Sequence, residues 1–143
     1  MTPIQVVIDT NVMVSAARSK RGASHLLVGM IGDPRFQVNV SCALLLEYEA
    51  KLKQEMRRQG RADLWRVDRF LDALAACSNQ RSIFFSFRSE QTEADDAFIV
   101  DLAIASGAMC VITYNCRHFA GLWRYGKKAI RPMQFLKLLE AVS

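Results

Sequence analysis

Four residues with oxygen-bearing side chains fall where strands are predicted to end or helices to begin: Asp9, Glu47, Asp96 and Asn115. Asp9 follows the β-branched run Ile4–Ile8, and Asn115 comes two residues after a later apolar run. Glu47 lies in the second turn of a predicted helix, and Asp96 opens another. Ligands of open α/β sheets bind beyond the carboxyl ends of the strands, where strand order reverses. The four side chains therefore converge on one cleft if the first and fourth predicted strands are neighbours.

Clustered carboxylates repel one another, and a fold tolerates such a cluster when a divalent cation occupies it. The chain has only two histidines and no C-x-x-C pair, which argues against zinc and favours Mg²⁺ or Mn²⁺ with oxygen ligands. Such an ion binds phosphate, lowers the pKa of a bound water and stabilises an in-line displacement. The pattern therefore predicts phosphodiester hydrolysis without a protein nucleophile, with Asp9, Glu47 and Asp96 as the metal ligands.

Each candidate also has a simpler structural interpretation. Asp9 is suited to cap a helix, and Asp96 to interact with a helix dipole. Glu47 can pair with Lys51 one helical turn further on, and Asn115 can be a turn residue. Three further acids are interpreted as solvated side chains: Glu93, Asp95 and Asp101. The joint placement of the four candidates at strand ends is what favours a site.

Basic residues flank the candidate acids in a chain of net charge +5, which is compatible with a polyanionic partner. Four are predicted to contact the phosphates of such a partner, which are RNA phosphates if the resemblance given below holds: Arg18, Lys20, Arg21 and Arg117. A second group follows Glu47 along its helix and is also interpretable as a solvated face: Lys51, Lys53, Arg57, Arg58 and Arg61. Three aromatic residues can stack on bases, namely Trp65, Trp123 and Tyr125. Core or dimer packing is the simpler interpretation of Trp65.

Hydrophobic periodicity predicts the elements that must position these residues. Strands are predicted over residues 4–8, 36–40, 82–85, 109–113 and 128–130. Helices are predicted over residues 25–31 after a Ser24 cap, from a Ser41 cap to about Gly60, over 63–76, from Asp95 or Asp96 to 106, and from Pro132 to about 142. Strands alternating with helices indicate a single α/β domain over residues 1–143, with a mainly parallel, helix-covered sheet.

Length and composition agree with one soluble domain. The 143 residues are 51% apolar and 23% charged, and no apolar run approaches the ~20 residues of a membrane span. No signal peptide is recognised at the N-terminus. The four cysteines, Cys42, Cys77, Cys110 and Cys116, are interpreted as buried or half-buried free thiols of a reducing compartment. We therefore expect a cytoplasmic protein with no membrane contact.

Four segments, taken together, resemble the PIN domain: Val7–Val12, Leu45–Glu49, Asp95–Ile99 and Val111–Asn115. Their order and spacing agree with that family over nearly the whole chain. Two further segments, Arg21–Ser24 and Arg131–Leu136, resemble the prokaryotic branch described as toxin components of toxin–antitoxin systems. A short D-T-N sequence alone is unspecific, and the specificity comes from all segments in order.

The resemblance implies an α/β/α sandwich, Rossmann-like in its parallel sheet, and a metal-dependent ribonuclease. Asp9, Glu47 and Asp96 match the acidic triad of the family. Three residues match polar positions that support the site: Thr10, Asn11 and Thr113. The expected partners are RNA, an antitoxin protein and a second copy of the chain.

Asn115 departs from the pattern, because many PIN domains have a fourth acid at this position. An amide oxygen can ligate a metal or orient water but brings no charge, so the number of metal ions is left open. The alternative to an enzyme is a non-catalytic RNA-binding or scaffold module. A response-regulator-like phosphoacceptor domain is disfavoured, since the predicted third strand ends in Phe85-Ser86-Phe87 without the required aspartate.

Overall fold

A sheet of five parallel strands forms the centre of the computed structural model, which describes residues 2–82 and 97–142. The strands are β1 (Ile4–Ile8), β2 (Phe36–Val40), β3 (Asn79–Gln80), β4 (Cys110–Ile112) and β5 (Lys128–Ile130). Their order across the sheet is β3-β2-β1-β4-β5, and every neighbouring pair is parallel. The chain thus builds one half of the sheet from β1 outwards, and then the other half from β4 outwards.

Helices connect the strands and cover the sheet. They are α1 (Thr10–Arg18), α2 (Ala23–Gly29), α3 (Cys42–Arg58), α4 (Trp65–Cys77), α5 (Ala97–Ser106) and α6 (Pro132–Ala141), with a 3₁₀ segment over Cys116–Tyr125. The predicted α/β/α sandwich with a parallel sheet is confirmed.

Central strands β1 and β4 are largely buried on both faces, which explains why their sequences are almost entirely apolar. Val7 pairs with Val111 and Ile8 with Ile112, and all four side chains are fully buried. This register brings the ends of the two strands level, so that the residues following them meet at one edge of the sheet.

Several predicted helix boundaries are confirmed by their local chemistry. Ser41 caps α3, because its hydroxyl accepts a hydrogen bond of 3.2 Å from the backbone N–H of Leu44. Pro132 is the first residue of α6. Gly107 closes α5 with a φ of +69°, a left-handed conformation that favours glycine.

The prediction for Ser24 was wrong, and the third strand differs from its predicted position. Ser24 lies inside α2, whose N-cap is Gly22, and its hydroxyl bonds to Tyr114 instead of capping. The third strand is Asn79–Gln80, Ser82 lies outside any strand, and residues 83–85 are outside the described residues. The predicted helix start at Asp95 or Asp96 also lies outside the described residues.

The free cysteines are less uniformly buried than predicted. Cys42 and Cys77 are exposed, whereas Cys110 in β4 is buried. Burial raises the pKa of the Cys110 thiol to about 12, so this side chain remains a neutral core residue at neutral pH.

Strand order reverses between β1 and β4, which makes their shared carboxyl edge the topological switch point of the sheet. The sequence hypothesis required these two strands to be neighbours, and they are. Over residues 2–82 and 97–142, each helix is too short or too polar to traverse a bilayer.

Candidate active site

A cleft of about 670 Å³ opens at the carboxyl ends of β1 and β4. Its lining residues come from the loops after these strands and from helices α1 and α3: Asp9, Thr10, Asn11, Val14, Ser15, Arg18, Glu47, Lys51, Tyr114 and Asn115. Three of the four predicted chemical residues, Asp9, Glu47 and Asn115, therefore line one cleft. The fourth, Asp96, lies outside the described residues.

Asp9 is the most deeply set acid of this cleft, at 5% exposure. One carboxylate oxygen accepts a hydrogen bond of 2.7 Å from the backbone N–H of Thr10, where Asp9 caps helix α1. The other oxygen accepts a bond of 2.7 Å from the hydroxyl of Thr113. Asp9 is thus both a helix cap and a cleft residue, and the two interpretations of the sequence are compatible.

A polar network joins the ends of β1 and β4 below the cleft. The Thr113 hydroxyl, which is fully buried, accepts bonds from Asn11 Nδ2 at 3.3 Å and from the backbone N–H of Asn115 at 2.9 Å. The side-chain oxygen of Asn11 accepts a bond of 3.3 Å from the backbone N–H of Tyr114. This network holds Asp9 in one orientation, because Thr113 is saturated with donors and must direct its own proton to the carboxylate.

Glu47 faces the same region from helix α3. Among the contacts of the described residues, it forms no ion pair with Lys51, whereas its neighbour Glu49 pairs with Lys53 at 2.9 Å. The simpler interpretation of Glu47 as a paired surface acid therefore does not describe its position.

Tyr48 is a buried residue next to the end of β1, and the negative charges of Asp9 and Glu47 both act on it. Its side chain is fully buried and its hydroxyl donates to the carbonyl of Ile8, at the end of β1. Burial raises the pKa of Tyr48 well above its usual value, and the charges of Asp9 and Glu47 raise it further. Both carboxylates therefore act on the same point beneath the cleft floor.

Thr10 also lines the cleft. Its hydroxyl is buried and has no hydrogen-bond partner among residues 2–82 and 97–142. A buried hydroxyl without a partner is costly, and such groups are often completed by an ion or water. Thr10 was expected to support the site, and this position suits that expectation.

The donor set fits a hard divalent cation. Carboxylate, hydroxyl and amide oxygens are the ligands that Mg²⁺ and Mn²⁺ prefer. Within the described residues, however, no group of three or more acids, histidines or cysteines is close enough to hold a metal. Asp9 and Glu47 therefore form the described part of the predicted triad, and Asp96 would have to complete it.

The predicted RNA-binding residues occupy different surfaces. Arg18 lines the cleft, and Arg117 is an exposed residue of the 3₁₀ segment that follows Asn115. Lys20 and Arg21 line a separate hollow, whose walls include residues of α2 and α6. Lys51, first interpreted as a partner of Glu47 or part of a solvated face, joins Arg18 in the cleft wall.

Glu55 is a site-supporting residue that the sequence interpretation missed. It is buried in α3, and its carboxylate accepts bonds from Arg18 at 2.6 Å, from Arg58 and from Gln59. These contacts, that of Arg58 first, lower the pKa of Glu55 to about 2 although burial opposes the shift. Glu55 falls seven residues after Tyr48, on the same helical face, which is the signal that identifies it.

Tyr114 is the second residue that the interpretation missed as an individual contact. It lines the cleft, and its hydroxyl shares a hydrogen bond of 2.5 Å with the buried Ser24 of α2. Its place between Thr113 and Asn115, in the loop after a central strand, was the available signal.

Comparison with known proteins agrees with this geometry. The chain matches no protein of curated function at a significant level. A family model described as "PIN domain" matches residues 5–117, a span that contains Asp9, Glu47, Asp96 and Asn115. Members of that family are generally nucleases that use divalent metals. With this match over most of the chain and the parallel sheet that carries the cleft, the protein belongs to the PIN-domain family.

Proposed function

We propose that this PIN domain is an endoribonuclease that hydrolyses phosphodiester bonds of single-stranded RNA with Mg²⁺ or Mn²⁺. The observation that carries the proposal is the composition of one cleft, in which Asp9 and Glu47 lie together with Arg18 and Lys51. Acids suited to a cation and bases suited to phosphate are thus combined at the switch point of the sheet.

The roles divide by chemistry. Asp9, Glu47 and Asp96 would hold the cation, and Asn115 would contribute an amide oxygen. The bound ion would supply charge stabilisation and an activated water for an in-line displacement. The side chains of Asn11 and Thr113 would support the site by fixing the orientation of Asp9 and of the loop after β4. Thr10 would support it through its backbone N–H, which donates to Asp9.

The bases would position the substrate. Arg18 is held at the cleft wall by Glu55, so its charge is fixed in place before RNA arrives. Lys51 stands on the α3 side of the same cleft. Arg117, which follows Asn115 closely, and Lys20 and Arg21, which line the separate hollow, would contact phosphates further along the strand. Preorganised cations bind phosphate at a smaller entropic cost than mobile ones.

The recessed position of Asp9 favours single-stranded over double-stranded RNA as the substrate. Asp9 is 5% exposed, so the scissile phosphate must enter the cleft to approach it. An unpaired strand can turn its backbone inward and its bases outward, whereas a duplex presents a stiff outer surface.

A toxin function, with an antitoxin protein and a second copy of the chain as partners and a cytoplasmic location, is a further proposal. It rests on the resemblance of Arg21–Ser24 and Arg131–Leu136 to the toxin branch. Co-expression with the product of an adjacent small reading frame tests it. Loss of ribonuclease activity in the purified complex, with recovery after the partner is removed, is the expected result.

A metal site makes a prediction for stability. In chelator, Glu47→Gln should melt at a higher temperature than the parent chain, because one of two neighbouring negative charges is removed. With millimolar Mn²⁺, the parent should gain several degrees and the variant much less, since only the native state binds the ion. Differential scanning fluorimetry measures both shifts.

Glu49→Gln is the matched control for that measurement. Glu49 lies on the same helix but is paired with Lys53, away from the cleft residues. It should respond to Mn²⁺ as the parent chain does. Equal Mn²⁺ shifts for the parent and Glu47→Gln would remove Glu47 from the metal site.

The basic residues make a prediction for binding. Arg117→Ala and Lys51→Ala should each weaken RNA binding and reduce the slope of log affinity against log salt by about 0.7, the value for one phosphate contact on a single strand. Lys128→Ala is the charge-matched control, because Lys128 begins β5 and pairs with Cys110 at the amino end of β4, whereas the cleft lies at the carboxyl end. A salt slope that falls equally in all three variants would indicate a general charge effect instead of a cleft contact.

A non-catalytic RNA-binding or scaffold module is the second candidate function. The observation that favours it is Asn115, an exposed amide at a position where many PIN domains have an acid. Such a module would bind RNA with the same bases but would not cleave it in either metal.

A further inference from the structure

An exposed tryptophan with two arginines forms a patch at the start of α4, which we call the Trp65 patch (Trp65, Arg66 and Arg69). The Trp65 side chain is 52% exposed, so it is not a core residue. The Arg66 and Arg69 guanidinium carbons lie 5.2 and 5.8 Å from the ring centroid, within the range of cation–π contact. The patch thus combines an aromatic surface with two positive charges.

The arginines of the patch are only partly paired with the nearby acids. Arg66 pairs with Asp63 at 2.7 Å, but Asp63 also pairs with Arg61 at 2.8 Å. Asp68, the next acid along α4, pairs with Lys53 of α3. One aspartate therefore serves two arginines, and Arg69 forms no ion pair within the described part of the chain.

A second hollow lies between this patch and the cleft. It has a volume of about 300 Å³ and a mainly apolar floor, and Lys20, Arg61 and Arg66 are among its lining residues. Arg66 borders both the hollow and the Trp65 patch. On the other side, the hollow includes Ala16 and Ala17 of α1, next to Arg18 in the cleft wall.

The cleft and the hollow both lie along helix α3, and Arg66 of α4 joins the hollow to the Trp65 patch. Glu47 lies in the cleft near the start of this helix, and Met56 lines the hollow near its end. At about 1.5 Å per residue, roughly 14 Å of helix separates the two residues, a distance that several nucleotides of extended RNA can span. Lys51, Arg18 and Arg61 lie along this course, with Arg18 paired to Glu55 and Arg61 to Asp63.

We infer that the Trp65 patch is a second contact site for single-stranded RNA, at which one base stacks on Trp65 while flanking phosphates lie against Arg66 and Arg69. The inference rests on the proposed function for the nature of the substrate, but the contact itself needs neither metal nor cleavage. Stacking on an exposed aromatic ring accepts any base, so the patch would add affinity and set a minimum substrate length without specifying sequence.

Tryptophan fluorescence tests this contact directly. The chain has two tryptophans, so a Trp123→Phe background leaves Trp65 as the single reporter. In chelator, an oligoadenylate of about 12 nucleotides should quench this emission, whereas one of about three nucleotides should not reach the patch from the cleft. Trp65→Leu should weaken binding of the longer oligomer roughly tenfold and leave the shorter one unchanged. Trp65→Phe, which keeps an aromatic ring, should retain most of the affinity.

The outcomes separate this site from the proposed function. Quenching and length-dependent affinity in a chain that never cleaves RNA would support the patch and contradict the enzyme. Cleavage with no quenching, and with equal affinities for the parent and Trp65→Leu, would overturn the patch alone. A Trp65→Leu variant that binds RNA normally but sediments at a different mass would also overturn it, in favour of contact between copies of the chain.

Discussion

Asp9→Asn should slow cleavage of single-stranded RNA by about 10³-fold or more, while RNA affinity stays within about twofold of the parent chain. The acids are proposed to hold the cation, and the bases to hold the phosphates, so removing one acid charge affects the chemical step. Removal of a negative charge from the cleft would, if anything, tighten binding of a polyanion.

The hydrogen bonds of Asp9 explain why an amide cannot replace this carboxylate. Both of its oxygens act as acceptors, one for the Thr10 backbone N–H and one for the Thr113 hydroxyl. Asparagine offers one acceptor and one donor, so one of the two contacts becomes donor against donor or requires Thr113 to reverse its hydroxyl. We expect a cost of about 1–2 kcal/mol in the free energy of unfolding, which leaves the variant folded.

The assay is cleavage of a labelled oligoribonucleotide in Mg²⁺ and in Mn²⁺, beside binding measured in chelator. A circular dichroism melt confirms that Asp9→Asn is folded under assay conditions. Cleavage that survives both chelator and the substitution would point to a contaminating nuclease. Binding without cleavage by the parent chain, in both metals and with varied RNAs, would instead favour the scaffold function.

Elements with strong local signals were predicted well from the sequence. The β-branched run of β1, the Ser41 cap of α3 and the proline that begins α6 each fix a boundary by short-range chemistry, and the structure confirms them. Alternation of strands with helices was enough to predict a parallel sheet, because parallel strands require crossover connections.

Elements stabilised by tertiary contacts were not predictable in the same way. β3 has only two residues, and its position depends on pairing with Asn39 and Val40 of β2. Ser24 resembles a cap in the sequence, but its hydroxyl bonds to Tyr114, 90 residues away. No local pattern encodes either contact, so propensity alone misplaced the cap at Ser24 and did not predict the strand at Asn79–Gln80.

The part of the site that depends on strand order was predicted from the sequence. Asp9 and Asn115 meet because β1 and β4 are neighbours, a condition that the order of apolar runs made plausible but could not establish. The sequence also presented helix capping and catalysis as alternatives for Asp9, whereas the structure assigns the capping bond to a residue that also lines the cleft.

The burial of Glu55 was not predicted from the sequence pattern. A charged residue in a helix of many Lys and Arg residues reads as one more surface group, and only its helical register with Tyr48 indicates burial. Its carboxylate is nearly inaccessible and bridges Arg18 of α1 to Arg58 of α3. Glu55 therefore fixes both the packing of these helices and the position of the cleft arginine.

The contribution of Glu55 to stability should depend on pH in a defined window. Its pKa is about 2 in the folded chain against an ordinary value of 4.5, so the folded state favours the charged form. The stabilisation is complete above about pH 4.5 and is lost as the pH falls from there through about 2, because protonation then removes the charge that the arginines bind. Above pH 5 this residue should make stability independent of pH.

Glu55→Gln should therefore lower the free energy of unfolding by about 2 kcal/mol at about pH 6, equivalent to a melting temperature lower by about 4–8 °C. This value lies below that for a fully buried pair, because Arg18 and Arg58 are themselves more than half exposed and are screened by solvent.

At about pH 2.5, the free energies of unfolding of the parent chain and of Glu55→Gln should become similar. Urea unfolding at both pH values measures the difference, and Glu49→Gln, which breaks a partly exposed pair on the same helix, is the control for general charge effects. If Glu55→Gln loses the same free energy of unfolding at both pH values, the residue stabilises the fold by packing and not by its charge. If the loss is confined to the higher pH, and RNA binding weakens while the response to Mn²⁺ is unchanged, the charge of Glu55 holds Arg18 at the cleft.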